Sequence, residues 1–384
     1  MDDQNKTEQK IKCVIWDLDN TIWNGILSEG LNVTLNKDAA RAIKALDERG
    51  ILHSISSKNN LEDAKAMLIE FGLWEYFIYP QINWSPKSES VSIIAKSINI
   101  GTDTLAFIDD QAFERDEVFY SLNDVLCLDV PYIPELLDME RFMPLYITED
   151  SKNRRRMYQD DILRNETEKE FTGTKEEFLK TLDMVFTVKN AGYEDLKRAE
   201  DLTVRTHQLN STGYVYSFDE LNGFIESEDH QVLIAGLVDK YGDYGKIGLA
   251  LLQKHERFRL PSADENAARI SSAVSHEQDR SGSMLSNADP FDNVWELKLL
   301  LMSCRVMSRG VGNVFLSFIV NKAITVGASL LARFLPTERN RLMYITYKFN
   351  GFTEIAKDGD LVFLSADMSY ERIMPDIITL VDKT

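Results

Sequence analysis

Between residues 12 and 128 the chain alternates short apolar runs with stretches whose apolar residues recur three and four apart, and this alternation limits the fold more than any other feature. The runs 12–17, 52–56, 77–79, 104–108 and 125–128 have the length and composition of strands. Segments 38–49, 61–71 and 88–97 between them carry the helical period. A strand that returns through a helix to the next strand pairs in parallel, so the expected fold class is α/β with a doubly wound parallel sheet. Ligands of such a sheet gather beyond the carboxyl ends of its strands.

Polar residues collect at those ends. The first strand closes in Asp17-Leu18-Asp19-Asn20-Thr21. Two carboxylates one residue apart can divide the work of phosphoryl transfer: one attacks phosphorus, and the other protonates the leaving oxygen and later activates water. Ser57 ends the second strand and can donate to a phosphate oxygen. Lys87, in Trp84-Ser85-Pro86-Lys87, can neutralise phosphate, and Asp109-Asp110 can hold Mg²⁺ through hard oxygen ligands.

The rest of the chain divides by composition. Residues 1–11 form a polar tail, 12–148 the first domain, 149–185 a charged helical connector with Arg154-Arg155-Arg156, and 186–384 a second α/β domain. Residues 256–293, rich in Ser, Ala, Asp and Glu, read as a surface insertion between two strands, because they bury too little apolar area to offset ordering. The net charge of −19 argues against nucleic acid, and an acidic partner would need a local basic patch, for which the three arginines are the candidate. No apolar stretch is long enough for a membrane span, and the start of the chain lacks the apolar segment of a signal peptide; a cytoplasmic location is the expectation.

In the second domain two segments stand out: 202–213, with Arg205, His207, Asn210 and Thr212, and 299–312, an apolar strand that runs through Cys304 and Arg305 to Arg309-Gly310-Val311-Gly312. A glycine loop before a helix exposes backbone N–H groups that can bind phosphate.

The motifs WDLDNTIWNGILSEG, SSKNN, INWSPKS and FIDDQAFERDEV resemble the four motifs of the haloacid-dehalogenase (HAD) superfamily, and within it the FkbH-like proteins. RTHQLNSTG, GLVDKYGDYGKIG and MSCRVMSRGVG resemble the C-terminal part of the same proteins, which is similar to the GNAT acyltransferases. The resemblance implies a capless HAD-like Rossmannoid domain followed by a GNAT-like α/β domain. It makes Asp17 the nucleophile and Asp19 the acid/base, with phosphate held by Ser57, Lys58 and Lys87. Mg²⁺ would be held by Asp17, Asp109, Asp110 and the carbonyl of Asp19. Arg205, Asn210, Thr212, Arg305, Arg309, Gly310 and Gly312 become candidates for binding a carrier protein's pantetheine arm, and His207 for a general base. With Gly310 and Gly312 in the glycine places of the acetyl-CoA pattern, the basic position falls on Met307, which speaks against ordinary use of acetyl-CoA.

Three cysteines compete for an acyl-carrying role. Cys13 lies four residues before Asp17, about 13 Å from the strand end, and reads as core. Cys127 has no distinguishing neighbours. Cys304, beside Arg305 and a helix start, has the surroundings that favour thiolate. By resemblance, a thiol takes the acyl group of 1,3-bisphosphoglycerate, the HAD site removes the remaining phosphate, and D-glycerate passes to an acyl carrier protein for polyketide-type biosynthesis. Two alternatives stay open at this point: a phosphatase for a sugar or metabolite phosphate, and a scaffold that binds a carrier protein.

Overall fold

The computed structural model describes residues 9–30, 33–261 and 291–384, apart from the side chains of Cys304, Met307 and Ser308. The chain falls into two compact units, Met1–Asn165 and Glu166–Thr384. The fold class is the α/β class expected from the sequence.

In the first unit, β1 (Cys13–Trp16) is followed by the short pair β2 (Trp23–Asn24) and β3 (Thr34–Leu35), then α1 (Lys37–Glu48), β4 (Leu52–Ser57), α2 (Leu61–Glu70), β5 (Gln81–Ile82), α3 (Lys87–Ile98), β6 (Leu105–Ile108), α4 (Ala112–Ser121) and β7 (Leu126–Leu128). The sheet runs β5-β4-β1-β6-β7 with every pairing parallel. Strands β1, β4 and β6 are buried along their whole length, which is why they read as continuous apolar runs rather than as alternation. Asn36 and Asn60 cap α1 and α2 by accepting from free backbone N–H groups of the first turn. Within the core, Trp16 Nε1 donates to His53 Nδ1 at 3.0 Å, and burial pulls the His53 pKa down to about 3, so the ring is neutral.

Two expectations need correction here. The edge strand is Gln81–Ile82 rather than 77–79; Phe77 makes only an isolated bridge to His53 and turns its ring into the core. Helix α4 escaped notice because Val118 is its only buried apolar residue while Phe113, Phe119 and Tyr120 are exposed, so no apolar stripe marks it.

The charged stretch after the sheet is not a free connector. Helices α5 (Glu149–Lys152) and α6 (Arg154–Glu170) follow, and the boundary between the units falls inside α6. Arg154 Nη1 donates to Gly50 O at 2.6 Å, and Arg155 pairs with Asp47 and stacks over Tyr76. Of the three arginines read as a basic patch, only Arg156 is exposed. The tail also ends earlier than expected: Ile11 is already core, its N–H bonded to Arg141 O, while residues 1–8 lie outside the described residues.

The second unit opens with α7 (Lys175–Lys180), β8 (Met184–Asn190), α8 (Leu196–Arg205) and α9 (Phe218–Glu226). The strands β9 (His230–Asp239), β10 (Gly242–Phe258) and β11 (Phe291–Met302) follow, then α10 (Val311–Thr325), β12 (Ser329–Phe334) and α11 (Arg341–Phe349). Strands β13 (Phe352–Asp358), β14 (Leu361–Ala366) and β15 (Ile378–Lys383) complete it. The sheet order is β13-β14-β12-β11-β10-β9-β8-β15. Helices α10 and α11 cover one face, and α8 and α9 cover the other. Phe178, Leu179 and Leu182 belong to this core, so the unit's packing starts before the boundary expected near Phe186. The stretch 256–293 is shorter as an insertion than it reads: β10 and β11 extend into it and pair Phe258 with Phe291, and 262–290 lie outside the described residues.

The parallel pairing of β11 with β12 is confined to Val294–Leu297 against Ser329–Ala332. Past Leu297 the place beside β11 is taken by residues 209–211. Ser211 N donates to Leu300 O, Met302 N to Leu209 O, and Leu335 N to Ser211 O. This strap closes the gap between two diverging strands from within the chain.

Gly50 links the first unit's sheet to α5. Its φ is +73°, and a Cβ there would lie 2.6 Å from the carbonyl oxygen of Ser151. Gly50→Ala should therefore destabilise the chain by about 1–3 kcal/mol, read as a lower denaturant midpoint. Ala at Gly72, which has a similar φ of +65° but open space around it, should cost less.

Candidate active site

Strands β1 and β6 lie side by side in register, Trp16 against Ile108, so the residues that follow them, Asp17 and Asp109, emerge together. Lys87, the first residue of α3, reaches between them: Nζ is 2.5 Å from Asp17 Oδ1 and 3.1 Å from Asp109 Oδ2. It also donates to Ser56 O at 2.7 Å. Lys87 is 3% exposed and Asp17 5%, so water contributes little to their solvation. Burial would discharge the Lys87 ammonium, but the two carboxylates outweigh it and raise its pKa. Burial pushes Asp17 up to about 7 against the opposing pull of Lys87, and it raises Asp109 as well.

Asp110 completes the cluster. One carboxylate oxygen from each of Asp17, Asp109 and Asp110 lies within 4.8 Å of the others. Asp109 Oδ1 accepts from Gln111 N at 2.8 Å, and Oδ2 faces Lys87. Asp110 Oδ1 is buried with no hydrogen-bond partner among the described residues. With all three carboxylates ionised, one ammonium leaves two negative charges, and an orphaned buried oxygen is costly. The donor set, all oxygen and doubly negative, fits Mg²⁺.

Asp19 faces another way. Its Oδ1 accepts from Trp23 Nε1 at 2.8 Å and from Leu27 N at 2.9 Å, and its Oδ2 accepts from Asn59 Nδ2 at 3.0 Å. The β2–β3 pair thus supplies the residue that aims Asp19. Asn59 also donates to Ser57 Oγ at 3.2 Å, and Ser57 reaches Asp17 as well. Trp23 and Asn59 carry no chemistry of their own and were not singled out in the sequence. Their signal is only position: Trp23 four residues after Asp19, and Asn59 two after Ser57. Lys58, expected at phosphate, is paired with Glu114 at 2.7 Å and points to α4. Ser88 N donates to Glu117 Oε2 at 2.9 Å, which ties the start of α3 to α4.

The second unit separates its candidates. Cys304 opens a tight helical turn, Cys304–Arg309, instead of standing at a helix start; α10 begins only after Gly310, at Val311. Arg309, read as a ligand-facing cation, is buried and paired with Glu168 at 3.0 Å. Arg305 Nη2 donates to Tyr244 O at 2.9 Å. Asn210 is fully buried and accepts from Thr212 N and Gly213 N, holding the strap's turn rather than facing a ligand. Arg205 is paired with Asp201 at 2.6 Å, whereas His207 is exposed. Gly310 and Gly312 do line a cavity of about 250 Å³, together with Leu209, Leu300, Met302 and Leu342. Burial raises the thiol pKa of Cys13, and it lifts Cys127 to about 11, so neither is poised as a thiolate.

No family model and no curated protein sequence matches the chain. Among solved structures, the N-terminal, phosphatase-domain part of a Bacteroides fragilis protein, complexed with Mg, is 30% identical, with a TM-score of 0.31. The match covers 36% of this chain and 40% of that one, so this chain spans well under half of that relative. A HAD-superfamily hydrolase from Ehrlichia chaffeensis is 18% identical over 32% of this chain and 87% of its own, with a TM-score of 0.27. A PaiA N-acetyltransferase from Thermoplasma acidophilum, in complex with coenzyme A, is 14% identical over 47% of this chain and 98% of its own, with a TM-score of 0.30.

The raised Asp17 pKa has a consequence for the metal-free chain. A carboxyl that binds its proton more tightly folded than unfolded contributes stability at low pH and loses it as pH rises through the folded value. Stability of the metal-free chain should therefore fall between pH about 4 and 7 on this account. Asp17→Asn should flatten that slope in denaturant titrations across the range.

Proposed function

We propose that the chain joins a Mg²⁺-dependent phosphatase of the HAD type to an acyl-transfer unit, and that it processes an acyl phosphate bearing a second phosphate. The observation that carries this reading is Lys87 between Asp17 and Asp109, with the open oxygen of Asp110 beside them. Asp17, Asp109 and Asp110 would hold the ion, with the carbonyl of Asp19 as the resemblance implies. Mg²⁺, when bound, supplies charge neutralisation for the transferring phosphoryl group. An oxygen of Asp17 attacks phosphorus, the ester oxygen leaves, and the proton it needs comes from Asp19. Lys87 and Ser57 bind the phosphoryl oxygens. Asp19, now a carboxylate, takes a proton from the water that cleaves the aspartyl phosphate, which releases inorganic phosphate and restores Asp17.

In the second unit we assign the acyl group to Cys304. Its thiolate attacks the carbonyl carbon of the acyl phosphate, the bond to the phosphate oxygen breaks, and phosphate leaves with the electron pair. The thiol of a carrier-borne pantetheine arm then gives up its proton to water and attacks the thioester, and Cys304 departs as thiolate. The cavity between β11, α10 and α11 supports this: its walls are largely apolar and include the two glycines. The nearby guanidinium groups of Arg305 and Arg309 are engaged with the protein, which suits an arm carrying a single phosphate better than a free nucleotide cofactor. The finer assignment is D-glycerate from 1,3-bisphosphoglycerate, delivered to an acyl carrier protein. Among the described residues no helix is long and apolar enough to cross a membrane.

Intact-protein mass spectrometry with 1,3-bisphosphoglycerate tests both halves. The parent chain should gain a glyceryl thioester, the Asp17→Asn chain a phosphoglyceryl adduct that keeps its phosphate, and the Cys304→Ala chain no adduct. Asp19→Asn should slow phosphate release by roughly 10²–10⁴-fold. Absence of any adduct on the parent chain would leave a phosphatase alone.

A further inference from the structure

The α8/α9 face of the second sheet carries a charged cluster that none of this chemistry uses. Glu296, on β11, is buried to 1%. Its Oε1 accepts from Arg333 Nε at 2.5 Å, and its Oε2 lies 3.0 Å from His255 Nε2. The register explains the meeting: Glu296 stands opposite Gln253 on β10 and Leu331 on β12, so His255 and Arg333, each two residues further along, flank it on the same face. Both carboxylate oxygens are thereby engaged.

The two cations on this face, Arg333 and Lys298, keep donors to spare. Arg333 docks through Nε alone, and among the described residues its terminal nitrogens have no hydrogen-bond acceptor. Its side chain is 33% exposed and lies over the Phe363 ring. Lys298 occupies an irregularity in the β10–β11 pairing, where Leu297 and Leu299 oppose successive residues and Lys298 has no partner. A bulge of this kind re-aims a side chain. The Lys298 Nζ meets only neutral groups, Gln253 Oε1 at 3.1 Å and the Phe224 ring. Burial lowers its pKa, and the charge of Arg333 lowers it further while Glu296 partly opposes. Two like charges are held within each other's field in a half-dry site, on a chain whose net charge is −19. Glu296 offsets only one of these two charges, so the cluster keeps a positive charge that a bound anion would neutralise.

We propose that Arg333 and Lys298, oriented by Glu296 and Gln253 and flanked by His255, form a binding site for the phosphate group of a small phosphomonoester. A guanidinium presents two terminal N–H donors to an oxyanion, and the ammonium adds a point charge. A phosphate monoester brings up to two negative charges and three terminal oxygens to the two cations, where a carboxylate brings one charge and two oxygens. The site lies on the sheet face opposite the cavity lined by Leu300 and Met302, so it is a ligand site of its own. It does not depend on phosphoryl transfer at Asp17.

The test uses the full chain and the proton resonances of its five histidines, with those of His255 identified by their loss in His255→Gln. His53 reports on the first unit, where phosphate is also expected to bind. Inorganic phosphate should shift the His255 ring signals saturably, and acetate at equal ionic strength should not. Arg333→Gln and Lys298→Met should each weaken the phosphate response at His255 by about tenfold or more. Lys298→Met should leave the melting temperature unchanged or higher, because it removes a half-buried charge that Arg333 repels; if Arg333→Gln fails to fold, this variant decides. A linear response at His255, an equal response to acetate, or undiminished affinity in Lys298→Met would overturn the proposal.

Discussion

A buried ammonium organises the first unit. Strands β1 and β6 run parallel in register, and neighbouring strands lie only about 4.8 Å apart, so the two aspartates that end them meet at short range and repel. Lys87 resolves this by lying between them. That requirement fixes the start of α3, and through Lys87's bond to Ser56 O it also fixes the end of β4. The cluster still carries excess negative charge once Asp110 is counted, and this excess favours a small hard cation over a neutral ligand.

Much of this was legible because each strand end is marked twice, by an apolar run and by the polar residue that follows it. Asp17, Ser57, Lys87 and Asp109-Asp110 are all found where a strand or helix boundary could be read. What could not be read were residues whose contribution is a hydrogen bond to another side chain. Trp23 and Asn59 orient Asp19 across loops, and nothing in their local pattern announces it. The weakly apolar α4 and the two-residue β5 were missed or misplaced for a related reason: both are set by what they pack against, not by their own periodicity.

The second unit was harder to read in its details than in its class. An apolar run, a glycine pair and a helix do occur in the expected order, but a tight turn separates Cys304 from the helix start. The polar residues of 202–213 that looked available for a ligand are partly spent on the fold. Asn210 ties off a turn, Ser211 bonds to Leu300 and Leu335, and Arg205 pairs along its own helix. Sequence alone cannot separate a polar residue that awaits a ligand from one that holds a backbone, since both need the same donors and acceptors.

The strap at 209–211 also bears on how the chain assembles. It precedes in sequence the strand ends that it joins: Ser211 Oγ accepts from Leu300 N, 89 residues later, and Leu335 lies beyond β12. On a growing chain emerging from its N-terminal end, this segment waits without partners while the two strands on either side of it are still unmade. Its long-range contacts can form only after loop closure over most of the second unit. The gap between β11 and β12 is therefore sealed only after both strands have emerged, while β15, which pairs with β8, is made later still.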